Sequence, residues 1–382
     1  MRLPLRGGHR RDVGGAEDPA APGASTMPRV LFPLLIIAIT IVIDIATPST
    51  AQVAPLLVAA PVVAAATLSV RTTAAFSAVV LGLTVALNVY HDVWGQLSSD
   101  MTLASACAVG IASIVGAAIR QQRETELRQV RSVAGAAQRA LLRPLPPRID
   151  RLALHSVYLA AEAEAQIGGD LYEALPTPYG ARVLIGDVRG KGLPAVGVSA
   201  VLTGCFREAA YREPTIGEVA GRLEETALRE IARDDPSEAY SERFTTALLV
   251  EIPPDEPVAR IVHLGHPEPL LIDGATVTSH MPDRPGLPIG LGGLVGTLPV
   301  PQTIAFRPGE RLLLYTDGFI EARNENGVYF PLAASVARHA EGALADLVTA
   351  LRRDLLRHAG RQLADDAALV VIERLPSTPP PL

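Results

Sequence analysis

Two regimes of hydrophobic patterning divide this chain. Between residues 30 and 119 the apolar residues run almost unbroken, in four segments: Val30–Ala46, Val53–Val70, Thr73–Tyr90 and Met101–Ile119. Each is close to the ~20 residues that a helix needs to cross a bilayer. None has the polar stripe that a soluble surface helix carries. From Arg151 onward the pattern changes to short apolar runs separated by Gly, Pro and Asp. Leu152–Leu159, Ala181–Val188, Phe244–Ile252, Val258–Leu264, Pro269–Ile272, Arg311–Thr316 and Ala367–Ile372 read as strands. Pro194–Glu213 and Thr215–Arg233 show helical spacing and pair as a hairpin around Pro214, and Leu344–His358 reads as an amphipathic helix.

Between the two regimes, Arg120–Leu142 is charged and Ala-rich. Leu127, Val130, Ala134, Ala137 and Leu141 recur at spacings of three and four, the seam of a short coiled coil. Two readings stand side by side: a homodimer seam leaving the membrane, or a helix packed on its own domain. Its position between the units suggests that it passes a signal from the spans to the hairpin at 194–233. Pro144, Pro146 and Pro147 close the helix. The expected organisation is a disordered tail over 1–28, a four-span membrane region over 29–119, a helical linker over 120–147, a catalytic domain over 148–374 and a Pro-rich tail over 375–382. Met27 directly precedes the first apolar run, so translation starting at Met27 rather than Met1 is an open alternative.

Basic residues set the expected orientation. Arg29 precedes the first segment, Arg71 lies between the second and third, and Arg120, Arg123, Arg128 and Arg131 follow the fourth. The remaining loops carry no Arg or Lys. The positive-inside rule then places both termini and the second half of the chain in the cytoplasm, with the protein multi-pass in the plasma membrane and in contact with its lipid. Asp44 lies inside the first apolar segment, where a charge is costly. It reads either as a coupling residue or, preferably, as a carboxyl near the outer boundary that reaches water.

Composition narrows the function. Among 382 residues the formal net charge is -6, which argues against a nucleic-acid partner. Two cysteines, Cys107 and Cys205, fit neither a disulfide framework nor a zinc site and read as small buried hydrophobes. Lys191 is the chain's only lysine, and it falls inside the most informative stretch.

That stretch is Gly168-Gly169-Asp170 followed by Ile185-Gly186-Asp187-Val188-Arg189-Gly190-Lys191-Gly192. Asp317 ends another apolar strand, and Asp365-Asp366 precedes the last. Acids at strand ends, gathered by a fold, make an all-oxygen site for a hard divalent cation. One Gly-Asp at a strand end is an ordinary turn; several beside apolar strands point to a metal cluster.

The motifs IGGDLY (167–172), IGDVRGKG (185–192), FTTA (244–247), GHPEP (265–269), GLPIGL (286–291), YTDGFIEA (315–322) and DDA (365–367) occur in an order that resembles the SpoIIE-like branch of the metal-dependent PPM serine/threonine phosphatases. QRALLRPLPP (138–147) resembles the lead-in helix of that branch. The resemblance covers about residues 135–373. It implies an α+β fold, the PPM-type αββα sandwich of two antiparallel sheets flanked by helices, here preceded by an all-α four-helix transmembrane region. It implies two Mn²⁺ or Mg²⁺ ions. Asp187 matches the bridging ligand, the Val188 carbonyl and Asp170 share its metal, and Asp317 and Asp365 match the other. Asp187 and Asp317 are thereby the expected catalytic residues. The implied substrate is a phosphorylated STAS-domain (anti-anti-sigma) protein.

The chain departs from the pattern at Arg189 and Lys191, where the family often has Ser and His, and at His263-Leu264, where it usually has Asn-Ala. Arg189 and Lys191 are candidate substrate-binding cations, Arg as a bidentate partner of phosphate and Lys as a point charge. Solvated turn residues are the competing reading. His266 reads as a structural histidine before a proton donor, Thr245 and Thr246 as strand residues lining the site, and Glu321 as a helix-start acid. A non-catalytic signalling module that keeps the fold is the rival function; the intact set of aspartates argues against it.

Overall fold

The computed structural model describes residues 27–47, 54–161, 168–234, 244–292, 299–360 and 363–376. The expected tails therefore lie outside the described residues, except that Met27 and Pro28 begin a helix and Leu375 and Pro376 follow the last strand. The chain divides into two compact units, Met1–Leu127 and Arg128–Leu382.

In the first unit, α1 (Met27–Ala46), α3 (Val70–Tyr90) and α4 (Leu97–Leu141) contain the stretches Arg29–Ala46, Val70–Tyr90 and Leu97–Val130, each long and apolar enough to span a membrane. The expected second span is different. It is broken into a 3₁₀ turn (Ala54–Val58) and the short α2 (Ala59–Thr67). Pro55 and Pro61 fall in this region, and proline removes an amide donor and crowds the preceding turn. The apolar helical run Pro55–Thr67 extends only about 20 Å at 1.5 Å per residue, short of a ~30 Å hydrocarbon core. Among the described residues the long apolar helices thus number three, where the sequence pattern predicts four.

Asp44 does not reach water as expected. Its side chain is buried at 2% exposure and lies 2.8 Å from Nε2 of His91, the residue that caps α3. A carboxyl in an apolar helix is tolerated when it finds such a partner. The cysteines, expected to be buried, are not: Cys107 is exposed on α4, and Cys205 is half-buried.

The second unit contains the end of α4 and eleven strands: β1 (Arg148–Ile149), β2 (Leu152–Leu159), β3 (Leu171–Thr177), β4 (Gly180–Val188), β5 (Thr245–Ile252), β6 (Val258–Leu264), β7 (Leu270–Asp273), β8 (Thr276–Ser279), β9 (Gln302–Ala305), β10 (Arg311–Tyr315) and β11 (Ala367–Arg374). The helices are α5 (Leu193–Arg212), α6 (Ile216–Asp234), a single turn α7 (Asp317–Ile320), α8 (Leu332–His339) and α9 (Leu344–His358). The strands form two antiparallel sheets, ordered β1-β2-β11-β10-β7-β8 and β3-β4-β5-β6-β9. Strands β1, β8 and β9 and helix α8 escape the sequence pattern because they are short and half-exposed.

The strands read as nearly continuous apolar runs because both faces of each sheet are covered. Successive side chains on a strand point to opposite faces. On β10, Leu312 and Leu314 enter the core between the sheets, while Leu313 and Tyr315 pack under α8 and α9. On β4, Val183 and Ile185 face the other sheet, while Leu184 packs under α5 and α6. The result is a four-layer αββα sandwich, as expected.

The α5–α6 hairpin is locked to its sheet from beneath. Arg182 on β4, wholly buried, pairs with Glu251 on β5 through Nε at 2.9 Å. Its remaining N–H groups donate to the carbonyls of Ala210, Glu213 and Pro214 at 2.6–2.9 Å, which satisfies backbone acceptors at the end of α5. Thr215 and Glu218 form a reciprocal capping box that starts α6.

Candidate metal centre

The strand ends bring the predicted acids to one edge of the sandwich. Asp170 immediately precedes β3, Asp187 and Val188 end β4, Asp317 follows β10, and Asp365 and Asp366 precede β11. Register does the work inside each sheet: Leu171 pairs with Gly186, and Tyr315 pairs with Leu369. Thr316 then joins the sheets. Its hydroxyl donates to Oδ2 of Asp170 at 3.0 Å and accepts from the amide of Ala368 at 2.9 Å.

The backbones approach so closely here that glycine is required at two positions. A Cβ on Gly169 would stand 2.4 Å from the Val188 carbonyl oxygen, and one on Gly318 would stand 1.9 Å from the Asp366 carbonyl oxygen. The Val188 amide donates to the Gly169 carbonyl at 3.3 Å across this contact.

Gathering carboxylates in a dry place is unfavourable, and the electrostatics register it. Asp170 is 2% exposed, and burial first, then the charges of Asp187 and Asp366, push its carboxyl well above the usual range. Burial and then Asp317 and Asp365 push Asp187 up to about 7, with Lys191 acting in the opposite sense. Asp317 is raised by burial, then by Glu321 and Asp365. This donor set is all oxygen, with no thiolate or imidazole among the acids, and its mutual repulsion is the charge a hard divalent cation relieves. In donor chemistry the residues fit such an ion. Among the described residues no three of these side chains converge on a single point as they stand. Asp365 turns instead to Lys191, with Oδ2 3.2 Å from Nζ.

Asp366 is the residue that sequence reasoning passed over. It is 3% exposed and accepts hydrogen bonds from the amides of Ala161 and Gly168 at 2.8 Å, from Tyr158 Oη, and from Gln138 Nε2 at 3.3 Å. A carboxylate so surrounded organises the turn beside the candidate ligands; its neighbour Asp365 remains half-exposed. The signal was present as the doubled Asp in DDA, but its donors lie far away in sequence. Gln138 also donates to the Gly168 carbonyl at 3.0 Å, so the end of α4 meets the Gly168 turn.

The remaining candidates fall into place around this centre. Arg189 and Lys191 sit on the loop that leaves β4, with the Arg189 guanidinium 5.1 Å from the Phe244 ring centroid. Thr246 pairs with Asp187 across β4 and β5, and its hydroxyl lies 3.0 Å from Nδ1 of His266. His266 is buried, and that burial lowers its pKa to about 3, so it is a neutral structural group. His263 is also buried and lowered for the same reason. Glu321 caps the C-terminal end of α7, so the expected helix-start role is corrected: the helix is a single turn that begins at Asp317.

Comparison with known proteins establishes the family and the fold. The sequence model of the family described as Stage II sporulation protein E (SpoIIE) matches residues 177–375, more than half of the chain. The phosphoserine phosphatase RsbU of Bacillus subtilis (strain 168) is 23% identical over 258 residues, covering 67% of this chain and 72% of RsbU. Among solved structures, the SiaA-PP2C domain of Pseudomonas aeruginosa aligns with a TM-score of 0.52 at 18% identity, over 67% of this chain and 99% of that one. The RsbU and RsbW domains of Rv1364c from Mycobacterium tuberculosis align with a TM-score of 0.50 at 24% identity, over 62% of this chain and 62% of that one. The chain spans less than two thirds of that last protein. The chain belongs to the SpoIIE family, and its αββα unit has the PPM-type phosphatase fold.

Proposed function

We propose that this SpoIIE-family chain is a membrane-anchored serine/threonine protein phosphatase that hydrolyses phosphoserine on a regulatory protein, a phosphorylated STAS-domain (anti-anti-sigma) factor. The observation that carries this reading is the meeting of Asp170, Asp187, Asp317 and Asp365 at one edge of the two sheets. RsbU, named as a phosphoserine phosphatase, supports the reaction class.

In this reading Asp170, Asp187, the Val188 carbonyl, Asp317 and Asp365 would hold two Mn²⁺ or Mg²⁺ ions. When bound, such ions supply a water acidic enough to attack phosphorus and neutralise charge on the phosphoryl oxygens. The chain's own residues do the rest. Thr316 holds Asp170 in place by its hydroxyl, and the Asp366 cage fixes the turn that carries Asp365. Arg189 and Lys191 receive the phosphate dianion, and Lys191 exchanges its pairing with Asp365 for the substrate. The products are the free serine hydroxyl and inorganic phosphate.

The long apolar helices anchor the chain in the plasma membrane, with the phosphatase unit and both termini cytoplasmic on the evidence of Arg29, Arg71 and the arginines after residue 119. Both termini on one side require an even number of crossings, so in this reading the short run Pro55–Thr67 also crosses, in a locally thinned bilayer. Leu127, Val130 and Val133 are exposed on α4 and are suited to a homodimer seam. Gln138 gives that helix a contact with the Gly168 turn.

The test uses the full chain in detergent micelles. Hydrolysis of p-nitrophenyl phosphate and of a phosphorylated STAS-domain protein is expected to require Mn²⁺ or Mg²⁺ and to fall at least a hundredfold in Asp187→Asn and Asp317→Asn. Absence of hydrolysis with every divalent ion tried overturns the reading.

A further inference from the structure

Beside the acid cluster the chain forms a cavity of about 340 Å³ whose apolar interior has no part in the hydrolysis itself, although the phosphate-binding candidates Arg189 and Lys191 stand on its rim. That volume is within the range of pockets that enclose small ligands or side chains, roughly 300–1,000 Å³. Its floor is apolar: Ala195 and Val198 come from α5, Ala227 and Ile231 from α6, and Phe244 and Ile289 close it. Its rim carries Arg189 and Lys191.

The cavity adjoins the candidate metal centre. Val188 forms part of its wall and directly follows Asp187 in β4. Lys191, on its rim, stands 3.2 Å from Asp365. A phosphoserine presented to the aspartates therefore brings its neighbouring residues over this opening, since an extended peptide advances only ~3.4 Å per residue. Two cations at the mouth suit the phosphate, and the apolar floor suits a neighbouring side chain without charge. Glu230 also lines the cavity but is engaged in an interaction of its own, so a charged neighbour would surrender its hydration there for little return.

We infer that this cavity is a specificity subsite that takes an apolar side chain lying within two residues of the phosphoserine in the substrate protein. The inference rests on the phosphatase reading and adds a sequence preference to it. Burying a Leu-sized side chain predicts a preference of about tenfold or more over glycine.

The experiment compares two phosphoserine peptides that differ only in Leu or Gly at the positions flanking the phosphoserine, with p-nitrophenyl phosphate as a probe too small to reach the cavity. With the full chain and Mn²⁺, kcat/KM is expected to favour the Leu peptide about tenfold. Binding of the same peptides, fluorescein-labelled, to the metal-free chain is expected to follow the same order. Val198→Phe fills the cavity and brings both ratios close to one. Ile231→Ala enlarges it and shifts the preference toward a Trp-flanked peptide, which keeps the test decisive if the first variant does not fold. Equal binding and turnover of the Leu and Gly peptides by the unaltered chain, with p-nitrophenyl phosphate hydrolysed normally, overturns the subsite and leaves the phosphatase reading intact. Loss of the small probe's hydrolysis in the unaltered chain removes both. If the peptides bind alike but the dye ANS binds and Val198→Phe expels it, the cavity serves a small apolar effector and the subsite proposal falls.

Discussion

The hydroxyl of Thr316 donates to Oδ2 of Asp170 at 3.0 Å, and this bond links the two sheets at the edge where the acids gather. Thr316 is wholly buried, directly follows β10 and also accepts from the amide of Ala368. One side chain thus holds the most buried carboxylate of the centre to the opposite sheet. Thr316→Val keeps the shape and removes both bonds, leaving a buried carboxyl and a buried amide without that partner. A loss of about 1–3 kcal/mol in urea unfolding is expected. The phosphatase activity should fall with it, because Asp170 loses its fixed orientation.

Divalent ions should stabilise the fold as well as support turnover. Burial and mutual repulsion raise Asp170, Asp187 and Asp317, so relieving that charge favours the folded state. An ion present at 100 times its dissociation constant stabilises by about 2.7 kcal/mol. Thermal unfolding of the full chain followed by circular dichroism should show a higher Tm with Mn²⁺, and the increment should grow from pH 6 to pH 8 as the carboxyls ionise. In Asp187→Asn the increment should shrink.

The two glycines that face Asp366 should differ in tolerance. A Cβ at Gly318 meets the Asp366 backbone oxygen at 1.9 Å, which only a main-chain shift can relieve. A Cβ at Gly168 meets the Asp366 carboxylate at 2.4 Å, which a side-chain movement can relieve by giving up the Gly168 amide bond. Gly318→Ala is therefore expected to abolish soluble folded protein or cost more than about 4 kcal/mol. Gly168→Ala should fold at a cost of about 1–3 kcal/mol.

His266 should make the unit acid-sensitive well above the carboxylate range. Its folded pKa of about 3 lies below the ~6.5 of an unfolded histidine. The unfolded chain therefore binds the proton first, and the stability this neutral histidine confers is complete above pH 6.5 and is lost as pH falls toward 3. Between pH 7 and pH 5 the loss is about 2 kcal/mol from this group. Chemical unfolding at those two pH values should show it, and His266→Asn should flatten the dependence.

Local pattern carried much of this protein. Short apolar runs bounded by Gly, Pro and Asp placed β2, β4, β6 and β10, and helical spacing placed α9, to within a residue or two, because such patterns are local properties of the chain. The ordered motifs identified the αββα fold, and the acids at 170, 187, 317 and 365 were visible as strand-end residues. Tertiary structure decided what those acids touch. Asp366 draws its donors from Gln138, Tyr158 and Gly168, about 200 residues earlier or more, so no local window contains its role. Lys191 reads as a loop cation in the sequence, and only the meeting of β4 with the turn before β11 pairs it with Asp365. Hydropathy alone counted the second apolar segment as a span, whereas backbone geometry at its prolines divides it. Periodicity is fixed by neighbours a few residues apart; the pairing of charges and the packing of backbone on backbone are fixed by which strands lie side by side.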